Sequence, residues 1–319
     1  MPTWLSVLLF VLIGLAIFLA AVESLSTALR SLASDKLSGW LRRFTSTAWS
    51  AVLVGTVVTM LLDSSSAVII LTIVLVNSGM MPFRNALGVV LGANIGTTFS
   101  SQLVALDVGA WSAVPLLAGI VLQHAGRSVF WRSVGSVVFS FGLLFAGLFI
   151  MGHAVEPFKG DPALLAWLHG LEHPLKGALV GGLLTLVVQS SSATVAMAIT
   201  LASKGMLGLP AGVAVMLGAE LGTCSDTLLA TVKSDRNGLK VGVFHLLFNL
   251  LSIIVGLLLI GPFLHLVIWL AGDLSVAKQV GVAHLLFNVA GVLVALPLLD
   301  VAANALDRIL PSRALVNAG

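Results

Sequence analysis

Two short stretches place three consecutive serines inside strongly apolar sequence: LLDSSSAVII at Leu61–Ile70 and VVQSSSATVA at Val187–Ala196. In the first, Ser64, Ser65 and Ser66 follow Asp63. In the second, Ser190, Ser191 and Ser192 follow Gln189. One serine is enough to cap a helix. Three at the opening of a half-helix combine hydroxyls with free backbone N–H groups at its positive end, a chemistry suited to an anion. Neither stretch holds a Lys or Arg, so an anion there relies on hydrogen bonds and on co-bound cations for charge balance. Sodium is a hard ion that takes oxygen ligands. Asp63, Gln189, Ser65 and Ser191 at the serine stretches offer them, as do Asn94, Thr97, Thr98 and Thr223 further along. An ionisable residue within apolar sequence is a functional candidate by default, which marks Asp63, Glu220 and Asp226 for proton or ion coupling.

The surrounding chain is that of a membrane protein. It is 58% hydrophobic and 9% charged, with a mean hydropathy of +1.11, far from globular composition. The single cysteine, Cys224, excludes an intramolecular disulfide framework and argues against a cysteine-based metal site. The net charge of +3 reflects topogenic loop charges rather than nucleic-acid binding. The first apolar run, Trp4–Val22, lacks a basic leader and is long for a signal peptide; a retained transmembrane helix is expected.

The serines are positioned by a duplication. Sliding the chain by 126 residues lays 55–101 on 181–227 without a gap, with sixteen of 47 positions identical. The matches cluster on polar and glycine positions, including Thr59/Thr185, Ser64–Ala67/Ser190–Ala193 and Gly96–Thr97/Gly222–Thr223. In each unit an apolar arm (Trp49–Leu62; Gly177–Val188) precedes the serines and a second short arm follows. Arms this short cannot span the hydrocarbon, so they predict a re-entrant helical hairpin. The glycine-flanked LGANIGTTFS and LGAELGTCSD stretches predict a transmembrane helix that unwinds. With the N-terminus outside, twelve basic residues fall in inner loops (Arg30, Lys36, Arg42, Arg43, Arg84, Arg127, Arg132, Lys233, Arg236, Lys240, Arg308, Arg313). Four fall outside (Lys159, Lys176, Lys204, Lys278). That bias satisfies the positive-inside rule and makes the two repeats inverted.

The expected fold is therefore an all-α polytopic membrane protein, a single transmembrane domain over 1–319 built from two inverted-topology repeats. Each repeat carries a re-entrant hairpin and an unwound helix: 49–106 for repeat 1 and 177–232 for repeat 2. Residues 24–44 predict an interfacial amphipathic helix. Gly109–Gln123 and Phe130–Met151 predict ordinary spans, Pro262–Ala271 an outer-surface run, and 240–299 the C-terminal spans. The last region repeats HLLFN at His245–Asn249 and His284–Asn288. His and Asn at i, i+4 share a helix face, which favours mutual hydrogen bonding and packing over a metal site; the other histidines have no ligand spacing.

An intramembrane serine hydrolase fits poorly, because there is no GxSxG-type elbow and one nucleophile needs no symmetric duplicate. A passive channel accounts for a polar midplane but not for two closed tips.

Taken together, DSSSA and QSSSAT, each followed by an LGANIGTT-like stretch, resemble the duplicated signatures of the type II sodium/phosphate cotransporter family. The HLLFN helices and LSTALRSLASDKLSGWLRRF before the first serine stretch are similar to it as well. The likeness runs over nearly the whole chain and suggests the bacterial-type form with the cotransporter domain only. It implies a secondary active symporter, not an enzyme, that couples sodium entry to inorganic phosphate uptake in the bacterial inner membrane. No cofactor is implied beyond sodium as the coupling ion, and the partners are phosphate, sodium, the lipid bilayer and, compatibly, further copies of the chain. By that resemblance Ser64–Ser66, Gln189 and Ser190–Ser192 form the core of the site, with Thr97 and Thr223 beside them. Two residues depart from the pattern: Asp63 stands where the family has glutamine, and Glu220 stands where the first repeat has Asn94. Both place negative charge near an anion site, which leaves proton-coupled or mixed-ion transport of phosphate or a related oxyanion as the alternative.

Overall fold

The computed structural model describes residues 3–43, 45, 47–106, 108–232 and 234–311. Those residues form helices and connecting turns, with no strand among them. In chain order the helices are α1 Thr3–Arg43, α2 Ala48–Leu62, α3 Ser65–Asn77, α4 Phe83–Val104, α5 Ala113–Ala125, α6 Val129–Val155, α7 Pro162–Gly170, α8 Pro174–Val188, α9 Ser191–Ser203, α10 Leu209–Gly222, α11 Cys224–Thr231, α12 Arg236–Leu258, α13 Ile260–Ala271, α14 Val276–Ala295 and α15 Leu299–Ile309. Six helical segments among the described residues are long and apolar enough to cross a membrane. A seventh is counted if α7 and α8, bent by 100° at their junction, act as one span. The two arms flanking the first serine triplet, of 15 and 13 residues, reach only about 20 Å each, short of a hydrocarbon core of about 30 Å.

Each serine stretch joins two short helices, α2 to α3 and α8 to α9, and both members of each pair pack on the helix that follows, α4 or α10. Glycine permits that approach. A Cβ on Gly92 would run into the Val52 carbonyl, and one on Gly55 into the Val89 carbonyl. The repeat-equivalent Gly218 and Gly181 face the carbonyls of Ala178 and Val215 in the same way. This is small-residue packing between membrane helices, which brings backbones together where lipid supplies no hydrophobic driving force. Thr56 adds a hydrogen bond across the first contact, its Oγ1 donating to Gly92 O at 3.1 Å.

The expected unwinding is corrected by this packing. In repeat 1, α4 runs unbroken through Leu91–Ser100. Gly92 and Gly96 serve contact with α2 rather than a hinge, and the polar side chains of the stretch bond back to their own helix. In repeat 2 the interruption is a single residue, Thr223, between α10 and α11.

Other expectations also shift. Residues 24–43 continue α1 without a break, so the amphipathic stretch and the first span form one helix of 41 residues; Phe44 lies outside the described residues. The run expected as a span at Gly109–Gln123 is helical over Gly109–Ala125, as a 3-10 turn followed by the 13 residues of α5, and falls below the length of the six spanning candidates. Lys240 is not in a loop: it is buried inside α12, where its Nζ meets Asp307 Oδ1 of α15 at 2.6 Å and lies over the Phe83 ring. Pairing with a carboxylate and an aromatic face is what makes a buried ammonium tolerable. Of the other inner charges, Lys233, Arg313 and the side chains of Arg30, Lys36, Arg42 and Arg43 lie outside the described residues.

Candidate functional site

The serine stretches reverse the chain by the same backbone device. Helix α2 ends at Leu62; Asp63 then takes the left-handed conformation (φ 46°, ψ 33°) and Ser64 an extended one. The Ser64 hydroxyl caps α3 by accepting the Ala67 N–H at 3.1 Å. In the second repeat Gln189 is left-handed (φ 58°, ψ 29°), and Ser190 accepts the Ala193 N–H at 3.1 Å. Asp63 and Gln189 are the only non-glycine residues with positive φ among those described. Such a conformation costs an L-residue roughly 1–2 kcal/mol, so the surrounding fold must enforce it twice. The N–H groups of Ser65 and Ser66, and of Ser191 and Ser192, fall in the first turn, where a helix leaves its donors without intrahelical partners. Ser65 and Ser191 are equally buried, at 5% exposure.

The third serine of each triplet reaches the other repeat. Ser66 Oγ donates to Asp226 Oδ2 on α11 at 3.2 Å, and Ser100 Oγ on α4 donates to Ser192 Oγ at 3.3 Å. The 126-residue offset converts 66 to 192 and 226 to 100, so this is one contact made twice. Each serine tip therefore rests against the polar helix of the opposite repeat. Ser100 escapes sequence reasoning because a lone serine in a helix carries no signal; its equivalence to Asp226 under the offset was the available clue.

Charge breaks the symmetry. The Asp63 carboxylate faces Ser100, and the two share a cavity of about 150 Å³ whose remaining lining, including Met60 and Phe99, is apolar. Its Oδ2 is buried without a hydrogen-bond partner. Gln189 is exposed, with its amide Nε2 donating back to Leu186 O at 2.5 Å. Asp63 within the first tip and Asp226 against it give that tip two carboxylates, whereas the second is met by Gln189 and Ser100. An unpartnered buried carboxylate oxygen and a hydroxyl form an oxygen donor set appropriate to sodium.

The remaining cation candidates bond within their own helices. Asn94 Nδ2 donates to Val90 O at 3.1 Å, Thr97 Oγ1 to Asn94 O at 2.9 Å, Thr98 Oγ1 to Ile95 O at 2.8 Å and Thr223 Oγ1 to Ala219 O at 3.2 Å. Those hydroxyls retain acceptor lone pairs, yet no hydrogen bond among the described residues joins them to a tip.

The HLLFN motifs are anchored by a second symmetric pair of contacts. Ser101 Oγ lies 2.7 Å from His284 Nδ1, and the repeat-equivalent Thr227 Oγ1 lies 2.8 Å from His245 Nδ1. His245 Nε2 and Asn249 Nδ2 of the first motif meet at 3.0 Å. In the second motif both residues engage Glu220: His284 Nε2 sits 2.6 Å from Glu220 Oε1, and Asn288 Nδ2 donates to the same oxygen at 3.4 Å. The sequence missed this partner for Glu220. No group of three or more His, Cys, Asp or Glu side chains among the described residues could hold a metal ion.

Comparison with known proteins follows the same duplication. A family model described as Na+/Pi-cotransporter matches the chain twice in succession, over residues 17–153 and 154–300. The uncharacterized protein YqeW of Bacillus subtilis (strain 168) is 29% identical over 250 residues, covering 77% of this chain and 79% of that protein. YjbB of Escherichia coli (strain K12), named for inorganic phosphate export, is 29% identical over 224 residues, or 69% of this chain. The match spans 40% of YjbB's own length. The human sodium-dependent phosphate transport protein 2B is 27% identical over 137 residues, 40% of this chain and 20% of that protein. No solved structure matches.

Proposed function

The chain belongs to the Na+/Pi-cotransporter family, a family of transporters rather than enzymes, and its apolar helices make it a multi-pass membrane protein; from that premise we propose that it couples sodium entry to inorganic phosphate uptake by alternating access. The two serine-joined helix pairs act as re-entrant hairpins that enter from opposite faces of the bacterial inner membrane, with the N-terminus outside. The observation that carries this reading is the doubled contact of Ser66 with Asp226 and Ser192 with Ser100, which ties each tip to the other repeat. Phosphate is held by the hydroxyls and first-turn N–H groups of Ser64–Ser66 and Ser190–Ser192. Sodium is held beside it by Asp63 and the oxygens of Ser65, Ser191 and Gln189, with Asn94, Thr97, Thr98 and Thr223 within the two polar helices.

Two carboxylates at the first tip repel an anion unless cations neutralise them. At an effective dielectric of 20, unit charges about 4 Å apart interact by about 4 kcal/mol. Sodium bound at Asp63 and Asp226 therefore prepares the site for phosphate, which is the physical basis of coupling. Rocking of one repeat against the other then exposes the loaded site to alternate sides.

A second direction is favoured by the name of the Escherichia coli relative, inorganic phosphate export. The same site serves either direction, set by the gradients of the coupling ions. Proteoliposomes loaded with or without labelled phosphate, under separate sodium and proton gradients, decide it. Uptake driven by an inward sodium gradient is expected; equal flux with and without that gradient would sink sodium coupling.

A further inference from the structure

Glu220, like Asp226, is an acid of the second repeat whose counterpart in the first is neutral, and it is paired with His284. At the repeat-equivalent position stands Asn94, a neutral amide bonded to its own helix, and His245 meets the neutral Asn249. His284, Glu220 and Ser101 are all buried, at 0%, 3% and 2% exposure. The His284 ring touches both repeats: Nδ1 lies against Ser101 of α4 in repeat 1, and Nε2 against Glu220 of α10 in repeat 2. A buried carboxylate beside a neutral imidazole leaves one uncompensated negative charge within the membrane, which is costly. One added proton makes the pair neutral.

We propose that Glu220 and His284 form a proton-binding site that links the two repeats. With the proton bound, the imidazolium donates at Nε2 to Glu220 and at Nδ1 to Ser101, clamping α4, α10 and α14 together. Without it, Nδ1 accepts from Ser101 and the pair adds a negative charge to the transport core. The proton is taken from water and returned to water; no bond other than N–H or O–H changes. The other titratable or charged groups on the packed elements are Arg236, Lys240 and His245 on α12, Asp226 and Cys224 on α11, His265 on α13, Lys278 on α14, Lys176 on α8, His169 on α7, and Asp300, Asp307 and Arg308 on α15. Arg84 lies on α4, and Lys204 caps α9. Lys240, Arg84 and Lys204 are held by Asp307, Asp300 and Glu156 respectively. The link to phosphate rests on the transport reading: loss of the proton adds a negative charge that weakens binding of the anion.

Infrared pH-difference spectroscopy of the purified full chain tests the site without phosphate. A carboxyl or imidazole titration that disappears in both Glu220→Gln and His284→Gln is expected; identical spectra in wild type and a folded Glu220→Gln would overturn the proposal. Ring-nitrogen NMR of wild-type protein with labelled histidine gives the answer if the variants do not fold. His284 must change protonation across the pH titration, and its constancy overturns the proposal. The ratio of wild-type to Glu220→Gln phosphate affinity cancels the substrate's own titration. It should fall as pH rises, by roughly fivefold to a hundredfold; a flat ratio counts against the link to phosphate. If wild-type protein moves no phosphate under any gradient, the transport reading fails, while the spectroscopic titration still judges the proton site.

Discussion

The two serine tips have the same backbone and different charge. Both turn through a left-handed residue, both cap the second helix with the first serine, and both touch the opposite repeat with the third. The first tip has a buried carboxylate oxygen facing a cavity and a second carboxylate on Ser66. The second has an exposed glutamine folded onto its own helix and a neutral serine on Ser192. A smaller asymmetry lies behind them. Thr185 donates to Thr194 at 2.9 Å, but Val68 replaces that threonine in repeat 1 and leaves the Thr59 hydroxyl without a partner. The comparison teaches that duplication preserves the backbone of the tips while the residues at 63, 189, 100 and 226 place the carboxylates at the first.

The strongest break in this comparison removes what the tips share. Ser65→Ala and Ser191→Ala each delete a hydroxyl expected on phosphate or sodium. Hydrogen bonds to charged groups contribute about 1.5–3 kcal/mol, so either variant should lose roughly tenfold to a hundredfold in transport while still inserting in the membrane, measured as initial phosphate flux. A milder change erases the difference instead. Asp63→Gln makes the tips alike and should raise the sodium concentration for half-maximal transport about tenfold, given the Coulomb attraction it removes; an unchanged sodium dependence would separate Asp63 from cation binding. The smallest effect distinguishes the two cross-repeat contacts. Ser66→Ala removes a hydrogen bond to a carboxylate and Ser192→Ala one between hydroxyls, and charged bonds are about twice as strong. Ser66→Ala should therefore lower the unfolding temperature more, by a margin of about 1 kcal/mol in stability.

Much of this was legible in the sequence because polar residues are rare in an apolar chain. The duplication, the turns at the serines and the helix following each pair could be read from spacing alone. The glycines were not decisive by themselves: the same Gly-x-x-x-Gly spacing serves a hinge or a close helix contact, and only the position of Val52 and Ala178 against them selects contact. Lys240 looked like a loop charge because its partner Asp307 lies 67 residues away. His284 looked like packing for a similar reason. Its repeat neighbour, His245, is satisfied within its motif, whereas His284 finds Glu220 64 residues earlier. Long-range polar pairs leave no periodic trace.

The central claim is that the two tips complete one site. Equilibrium binding of labelled phosphate to the purified chain in sodium tests it most directly. The account predicts one phosphate per chain, lost in Ser65→Ala alone and lost equally in Ser191→Ala alone. Two phosphates per chain, with one remaining in each variant, would contradict it.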